Sequence, residues 1–242
     1  MYLSAVILAA GLGSRLRPLT DTTPKPLLDV GGQALLTRQL ERIAAAGLRH
    51  AVVVTGYLAD QVEAHLRRHP PPVEVALAPN PLYATTGNCM SVLAARAATG
   101  GRGIVIFDGD VVLTGDALAR LAADPAPAAL LVDRDTPLGP EEMKVLVDPQ
   151  GNVRRLSKQL DPAACLGESI GVQKVGGVAL PIFWATLEAM RDAGDTQGYY
   201  EDAFQRMMQA GVSFRTVSIG HHEWTEIDDL ADLEDARARF GR

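Results

Sequence analysis

Cations cluster just downstream of a pair of glycines: Gly11-Leu12-Gly13-Ser14-Arg15-Leu16-Arg17, followed by Pro24-Lys25-Pro26. Glycines let a ligand approach the backbone closely and leave N–H groups free to bind anions. Arginine adds planar, forked donors, and Lys25 adds a point charge on a segment stiffened by its flanking prolines. Leu8 and Ala10 edge the same turn. Together these residues read as a polyphosphate cradle. A second group is acidic, Asp108-Gly109-Asp110 and Glu226-Ile227-Asp228. Neighbouring carboxylates repel each other unless a cation or hydrogen bonds compensate, and magnesium is held by one or two carboxylates plus phosphate oxygens and water. Asp110 is therefore a candidate metal ligand and Asp108 a supporting group, with an ordinary Asp-Gly turn as the alternative. Glu226 and Asp228 are two apart and share one face of an extended segment, although Asp228 or Asp229 can equally cap a helix.

The elements that carry these groups follow from the hydrophobic pattern. Tyr2 to Leu8 is an apolar run with no polar alternation, as in a buried parallel strand, and it delivers the glycine turn. A helix is expected from Ala34 to Ala46, ended by Gly47, then a strand from His50 to Thr55, a helix from Asp60 to Arg68 and a strand from Val73 to Leu77. A helix from Cys89 to Ala98, a strand from Gly103 to Phe107 that presents Asp108, a helix from Asp116 to Ala123 and a strand from Ala128 to Val132 continue the alternation. This pattern predicts an α/β fold with a doubly wound, mostly parallel sheet. Ligands of such sheets bind beyond the carboxyl ends of the strands.

From Asp133 the character changes. A hairpin is expected from Val145 to Lys158 around Gln150-Gly151-Asn152, then Gly167 to Val172 leading into a strand from Lys174 to Leu180, and a helix opened by Pro181. Tyr199-Tyr200-Glu201-Asp202 precedes an amphipathic helix from Ala203 to Ala210, Phe214 to Ser218 forms a late strand, and Trp224 onward opens a final helix. The expected organisation is a single domain, with residues 1–132 as the polyphosphate-binding half and residues 133–242 as a smaller, substrate-facing β/α elaboration. Lys144 and Lys158 can each neutralise an acceptor phosphate or simply lie at the surface. The Tyr-Tyr-Glu-Asp cluster suits a cationic head group; alternatively one Tyr packs while Glu201 and Asp202 favour a helix N-terminus. The loop Asn80 to Asn88 offers amides and hydroxyls that match a pyrimidine edge, and Thr86 or Asn88 can instead cap the following helix.

Composition narrows the classes. The chain of 242 residues is 47% hydrophobic with a formal net charge of −6, which fits a packed globule and opposes an extended nucleic-acid surface. Two cysteines cannot build a disulfide framework. No apolar stretch reaches the roughly 18 residues of a spanning helix, and no basic region precedes the first apolar run. No membrane or nucleic-acid partner is expected, and the expected location is the cytoplasm.

The glycine turn lacks the third glycine of the dinucleotide fingerprint, because Leu16 occupies its place, and it lacks the Gly-Lys-Ser/Thr of a P-loop. The longer string, Gly11 to Thr20 followed by Pro24-Lys25-Pro26, closely resembles the signature of the nucleotidyltransferases that activate sugar phosphates and related phosphorylated compounds. Glu168-Ser169-Ile170-Gly171, Tyr199 to Asp202 and Glu226-Ile227-Asp228 look most like the small cytidylyltransferases acting on phosphocholine, aminoethylphosphonate or inositol phosphate. The resemblance implies a Rossmann-like nucleotidyltransferase fold, and CTP and a small phosphorylated or phosphonate acceptor as partners, with a homodimer as a candidate assembly. It implies Mg2+ on Asp110 and Asp228, and Arg15 and Lys25 as catalytic cations on the leaving pyrophosphate and the α-phosphate. It further implies nucleotide contacts from Leu8, Ala10, Gly11, Gly13, Asn80, Thr86, Gly87, Asn88 and Asp108, and acceptor contacts from Lys144, Lys158, Glu168, Tyr199, Tyr200, Glu201 and Asp202. A full aromatic cage for trimethylammonium is not expected from five Phe and two Trp, so a primary amine or small phosphonate fits at least as well. Two other readings are a sugar-1-phosphate nucleotidylyltransferase using UTP, GTP or dTTP, and a nucleotide-sensing subunit without catalysis. The second would be expected to lose Arg15, Lys25, Asp110 or Asp228, all of which are present.

Overall fold

A computed structural model describes residues 2–240. Its central sheet runs in the order β10-β6-β9-β4-β1-β2-β3, formed by β1 (Leu3–Ala9), β2 (His50–Thr55), β3 (Glu74–Pro79), β4 (Gly103–Asp108), β6 (Ala128–Asp133), β9 (Gly167–Val175) and β10 (Arg215–Ile219). All but β9 point the same way, and β9 is antiparallel to both β4 and β6. A hairpin of β7 (Lys144–Val147) and β8 (Val153–Ser157) leans on the start of β9. A separate two-stranded ladder joins β5 (Val111–Leu113) to β11 (Trp224–Glu226). Residues from both halves of the chain thus share one mostly parallel α/β sheet.

Helices cover both faces, which is why the inner strands are apolar on both sides. Val6, Ile104 and Ile106 pack against α3 (Asn88–Ala95), α5 (Ala179–Asp192) and α6 (Tyr200–Gln209). Ala5, Ile7, Val105 and Phe107 pack against α1 (Leu35–Ala45), α2 (Ala59–Arg68) and α4 (Ala117–Ala123). A third cluster sits under the glycine turn, where Leu16, Leu28, Val112 and Ile227 meet Leu233 and Ala236 of α7 (Leu230–Phe240). That cluster fixes the turn, β5 and the end of β11 to one another.

Three expectations need correction. The segment from Gly167 to Val172 is itself strand β9, and the residues expected as a strand from Lys174 instead end β9 and enter α5. Gly176 and Gly177 make the break, and Pro181 falls in the first helical turn, where its missing N–H leaves no bond unmade. Trp224 opens a strand rather than a helix, and the final helix starts at Leu230. The helix expected from Ala203 begins three residues earlier, at Tyr200, because Tyr199 and Asp202 form its cap.

Candidate active site

Strand β1 ends at Ala9 and runs into the glycine turn at the carboxyl edge of the sheet. Gly13 adopts a left-handed conformation (φ 61°) that only glycine enters freely, and the Thr20 hydroxyl donates to its carbonyl at 2.7 Å. Buried Leu16 anchors the short helical turn that follows, leaving Arg15 exposed. Lys25 points back under the turn, with Nζ 2.9 Å from Asp110 Oδ2 and 3.4 Å from Asp228 Oδ1, while Arg15 Nη2 lies 2.7 Å from Asp228 Oδ1. The two acids raise the pKa of Lys25 against its burial, which works to lower it.

The acids are brought together by the β5–β11 ladder. Glu226 pairs with Val111 across it, and the Ile227 N–H donates to the Asp110 carbonyl at 3.1 Å. Oxygens of Asp110, Glu226 and Asp228 all lie within 4.8 Å of one another. Burial, then Asp110 and Asp228, push the Glu226 carboxyl up to about 8. Asp110 Oδ1 is buried without a hydrogen-bond partner. Three carboxylates, one with an unpartnered buried oxygen, form a hard oxygen donor set of the kind magnesium takes. Sequence resemblance placed the metal on Asp110 and Asp228 without Glu226, although the spacing of Glu226 from Asp228 carried the signal that it joins this donor set. Gly109 lets the acids approach β1, since a Cβ there would stand 2.1 Å from the Leu8 carbonyl oxygen.

A cavity of about 670 Å³ opens beside these groups and is continuous in its lining with a smaller one of about 240 Å³ at the glycine turn; Leu8, Gly11, Arg15, Asp110 and Asp228 belong to both. Gly13 and Lys25 line the smaller one, and Ala10, Thr86, Gly87, Asn88 and Asp108 the larger. The larger cavity is also lined by Lys158, Glu168, Tyr199 and Glu201, together with Glu141 and Glu142. Glu168 is pushed up to about 7 by burial, Glu142 and Asp133, and Glu201 to about 7 by burial, with Asp202 adding to it. Glu201 Oε2 is buried and unpartnered. The two adjoining cavities therefore carry cations at the glycine turn, a carboxylate triangle and a further group of buried acids.

The model of the MobA-like NTP transferase domain matches residues 5–175. The chain belongs to this nucleotidyltransferase family. Across 98% of its length the chain is 31% identical to the CMP-5'-(3-aminopropyl)phosphonate synthase of Streptomyces rubellomurinus, spanning 38% of that protein. Over 26% of its length it is 56% identical to the N-acetylmuramate alpha-1-phosphate uridylyltransferase of Caulobacter vibrioides, spanning 26% of it. The chain thus covers well under half the length of these curated relatives. Its fold is similar to that of the CTP:phosphocholine cytidylyltransferase of Streptococcus pneumoniae, with a TM-score of 0.82 at 20% identity over 99% of this chain and 100% of that one.

Four residues expected to contact ligands are placed elsewhere, Tyr200 and Asp202 in the packing and helix-terminus roles that were the alternative reading of their cluster. Asn80 is buried outside the cavity lining, its amide donating to Ser91 Oγ at 3.0 Å and its Oδ1 accepting the Leu82 N–H at 3.0 Å, so it shapes the loop. Lys144 is 1% exposed, and its ammonium donates to the carbonyls of Lys158 (2.7 Å) and Glu142 (3.3 Å), stapling the hairpin. Tyr200 is buried with its hydroxyl 2.7 Å from Gln173 Oε1 and 3.2 Å from Asp108 Oδ2, so its ring offers no face to a ligand. Asp202 accepts the Tyr199 N–H at 2.8 Å, as a helix cap. Neither Thr86 nor Asn88 caps α3; Thr86 donates to the Leu82 carbonyl, and Asn88 Oδ1 accepts the Tyr200 N–H at 3.0 Å, tying the loop to α6. Asp108 is held well above the usual carboxylate range by burial, Glu201 and Asp110. Gln173, buried in β9 and bonded to Tyr200 and Ser169, belongs to no motif and was not foreseen.

Proposed function

We propose that this nucleotidyltransferase is a magnesium-dependent cytidylyltransferase that joins CTP to a small phosphonate or phosphate acceptor carrying an amine, releasing pyrophosphate. Aminoalkylphosphonates and phosphoethanolamine fit this description better than phosphocholine. One observation carries the reading: two adjoining cavities that share Arg15, Asp110 and Asp228 bring together the Arg15–Lys25 cations, the Asp110–Glu226–Asp228 triangle and the buried acids Glu168 and Glu201. The cytidine preference draws on the CMP-forming relative, and on Thr86, Gly87 and Asn88 lining the base side.

The reaction needs no nucleophilic side chain. An acceptor oxygen attacks the α-phosphorus, forming a new P–O–P linkage, and the bond from that phosphorus to the bridging oxygen of the β-phosphate breaks. Positioning and charge stabilisation supply the rate. Arg15 and the free N–H groups of the glycine turn hold the departing pyrophosphate, and Lys25 offsets charge that grows at the α-phosphate. Asp110, Glu226 and Asp228 would hold magnesium, whose charge offsets that of the phosphates. Glu168 and Glu201 take the acceptor's ammonium, while Lys158, ion-paired to Glu141, lines the same cavity. Among the described residues only Tyr83 and Tyr199 bring aromatic rings to the larger cavity, too few to cage a trimethylammonium, whereas carboxylates hydrogen-bond a primary amine.

The test crosses CTP, UTP, GTP and dTTP with phosphocholine, phosphoethanolamine, 2-aminoethylphosphonate, inositol phosphate and hexose 1-phosphates, and follows pyrophosphate release in magnesium. Release with CTP and an amine-bearing acceptor is expected. The second reading, a sugar-1-phosphate nucleotidylyltransferase, draws on the uridylyltransferase relative; release only with a hexose 1-phosphate would favour it.

A further inference from the structure

Asp133 ends β6 outside the cavity lining, fully buried, yet its carboxylate meets four donors. Oδ1 accepts the N–H groups of Asp135 (2.8 Å) and Thr136 (3.2 Å), and Oδ2 accepts from Trp224 Nε1 (2.8 Å) and His221 Nδ1 (2.9 Å). A buried carboxylate is costly unless paired in this way. Its hydrogen bonds outweigh burial and hold its pKa below the usual value. Two of those donors belong to the arm that ends in Glu226 and Asp228. Trp224 opens β11, and among the described residues β11 pairs only with the three-residue β5. A ladder of three pairs has little rigidity of its own. The arm is clamped from one side by Arg239, which donates to the Trp224 carbonyl at 3.0 Å. At its start the arm leaves β10, which is laddered on β6; at its end the Ile227 N–H donates to the Asp110 carbonyl; between these, its side-chain tie to β6 is Asp133.

We propose that Asp133 is a positioning residue for the divalent-cation site, fixing β11 to β6 through Trp224 and His221 and so holding Glu226 and Asp228 beside Asp110. This rests on the reading that those three carboxylates bind a divalent cation. The role demands a carboxylate. Four donors converge on it, and an asparagine of the same shape would turn an NH2 group towards two of them. Groups that orient metal ligands typically govern affinity by about one to two orders of magnitude.

The test titrates Mn2+ into the full chain without nucleotide, by electron paramagnetic resonance, for the wild type, Asp133→Asn, Trp224→Phe and His221→Ala. Circular dichroism and melting temperature are recorded alongside. Asp133→Asn is expected to raise the Mn2+ dissociation constant by about tenfold or more, and Trp224→Phe, which keeps the ring and loses one donor, by less. The magnesium concentration needed for half-maximal turnover should rise in parallel, with the KM for the acceptor little changed. If Asp133→Asn does not fold, Trp224→Phe and the half-exposed His221→Ala carry the test. Unchanged Mn2+ affinity in folded variants, even with a lower melting temperature, would overturn the positioning role and leave the metal site standing. A wild type that binds no Mn2+ would remove the metal site, and this role with it.

Discussion

Lys25 holds its ammonium between Asp110 and Asp228 with only 14% of its side chain exposed. Without magnesium it is the main compensation for three crowded acids, so Lys25→Met should cost on the order of 3 kcal/mol in metal-free buffer. Added magnesium should recover more melting temperature in that variant than in the wild type, as calorimetry would show. Asp110→Asn should keep its circular dichroism spectrum and lose about 10²–10³-fold in turnover, comparable with removal of one key charge-stabilising group. Near-wild-type turnover would remove Asp110 from the site. Glu168 and Glu201 both titrate near 7, and the sign of their effect is fixed. Because their folded pKa values are raised, the empty protein is penalised progressively as pH rises from the ordinary carboxylate range to about 7. An ammonium ligand needs both ionised, so the KM of an aminoalkylphosphonate should fall between pH 6 and 8. The KM of the matching alkylphosphonate without the amine, run as a control for phosphonate ionisation, should not show that additional fall. Equal pH dependence for the pair would break the assignment of these buried acids.

At the scale of elements, α6 begins where the site needs it because Asp202 caps the Tyr199 N–H and Asn88 receives the Tyr200 N–H. Asp202→Ala should therefore cost about 1 kcal/mol, a fall of roughly 2–4 °C in melting temperature for a chain of this size, and should raise the KM for the acceptor through displacement of Glu201. A normal KM with the lower melting temperature would confine Asp202 to capping. Strand β2 was legible at its bounds because a run buried on both faces leaves no ambiguity. Strand β9 was not. Glu168, Ser169 and Gly171 face the cavity, so the strand carries polar residues and a glycine where a local pattern reads as a loop. Lys144 and Tyr200 look like ligand-facing residues in sequence, and carbonyls and side chains far along the chain decide otherwise. The β5–β11 ladder was equally hidden, since two three-residue strands more than a hundred positions apart leave no periodic signal.

On the scale of the whole molecule, the alternation of strands and helices gave the doubly wound sheet, and the glycine turn and its cations marked the edge where the ligand cavity lies. The acids that complete the cavity come from Asp108 to Asp110 and from Glu226 to Asp228. They meet because parallel strands deliver their carboxyl ends to one rim, with β11 folded back over β5. Two adjoining cavities thus bring together the cations of the glycine turn, a carboxylate triangle and further buried acids, groups whose charges suit pyrophosphate, reacting phosphates and an ammonium group. The most direct measurement is 31P NMR of the protein with CTP, magnesium and 2-aminoethylphosphonate. The account predicts a new phosphonate–phosphate linkage appearing together with an equal amount of pyrophosphate, while the three CTP resonances decline. CTP remaining intact in that mixture, with the linkage forming instead from UTP and a hexose 1-phosphate, would contradict it.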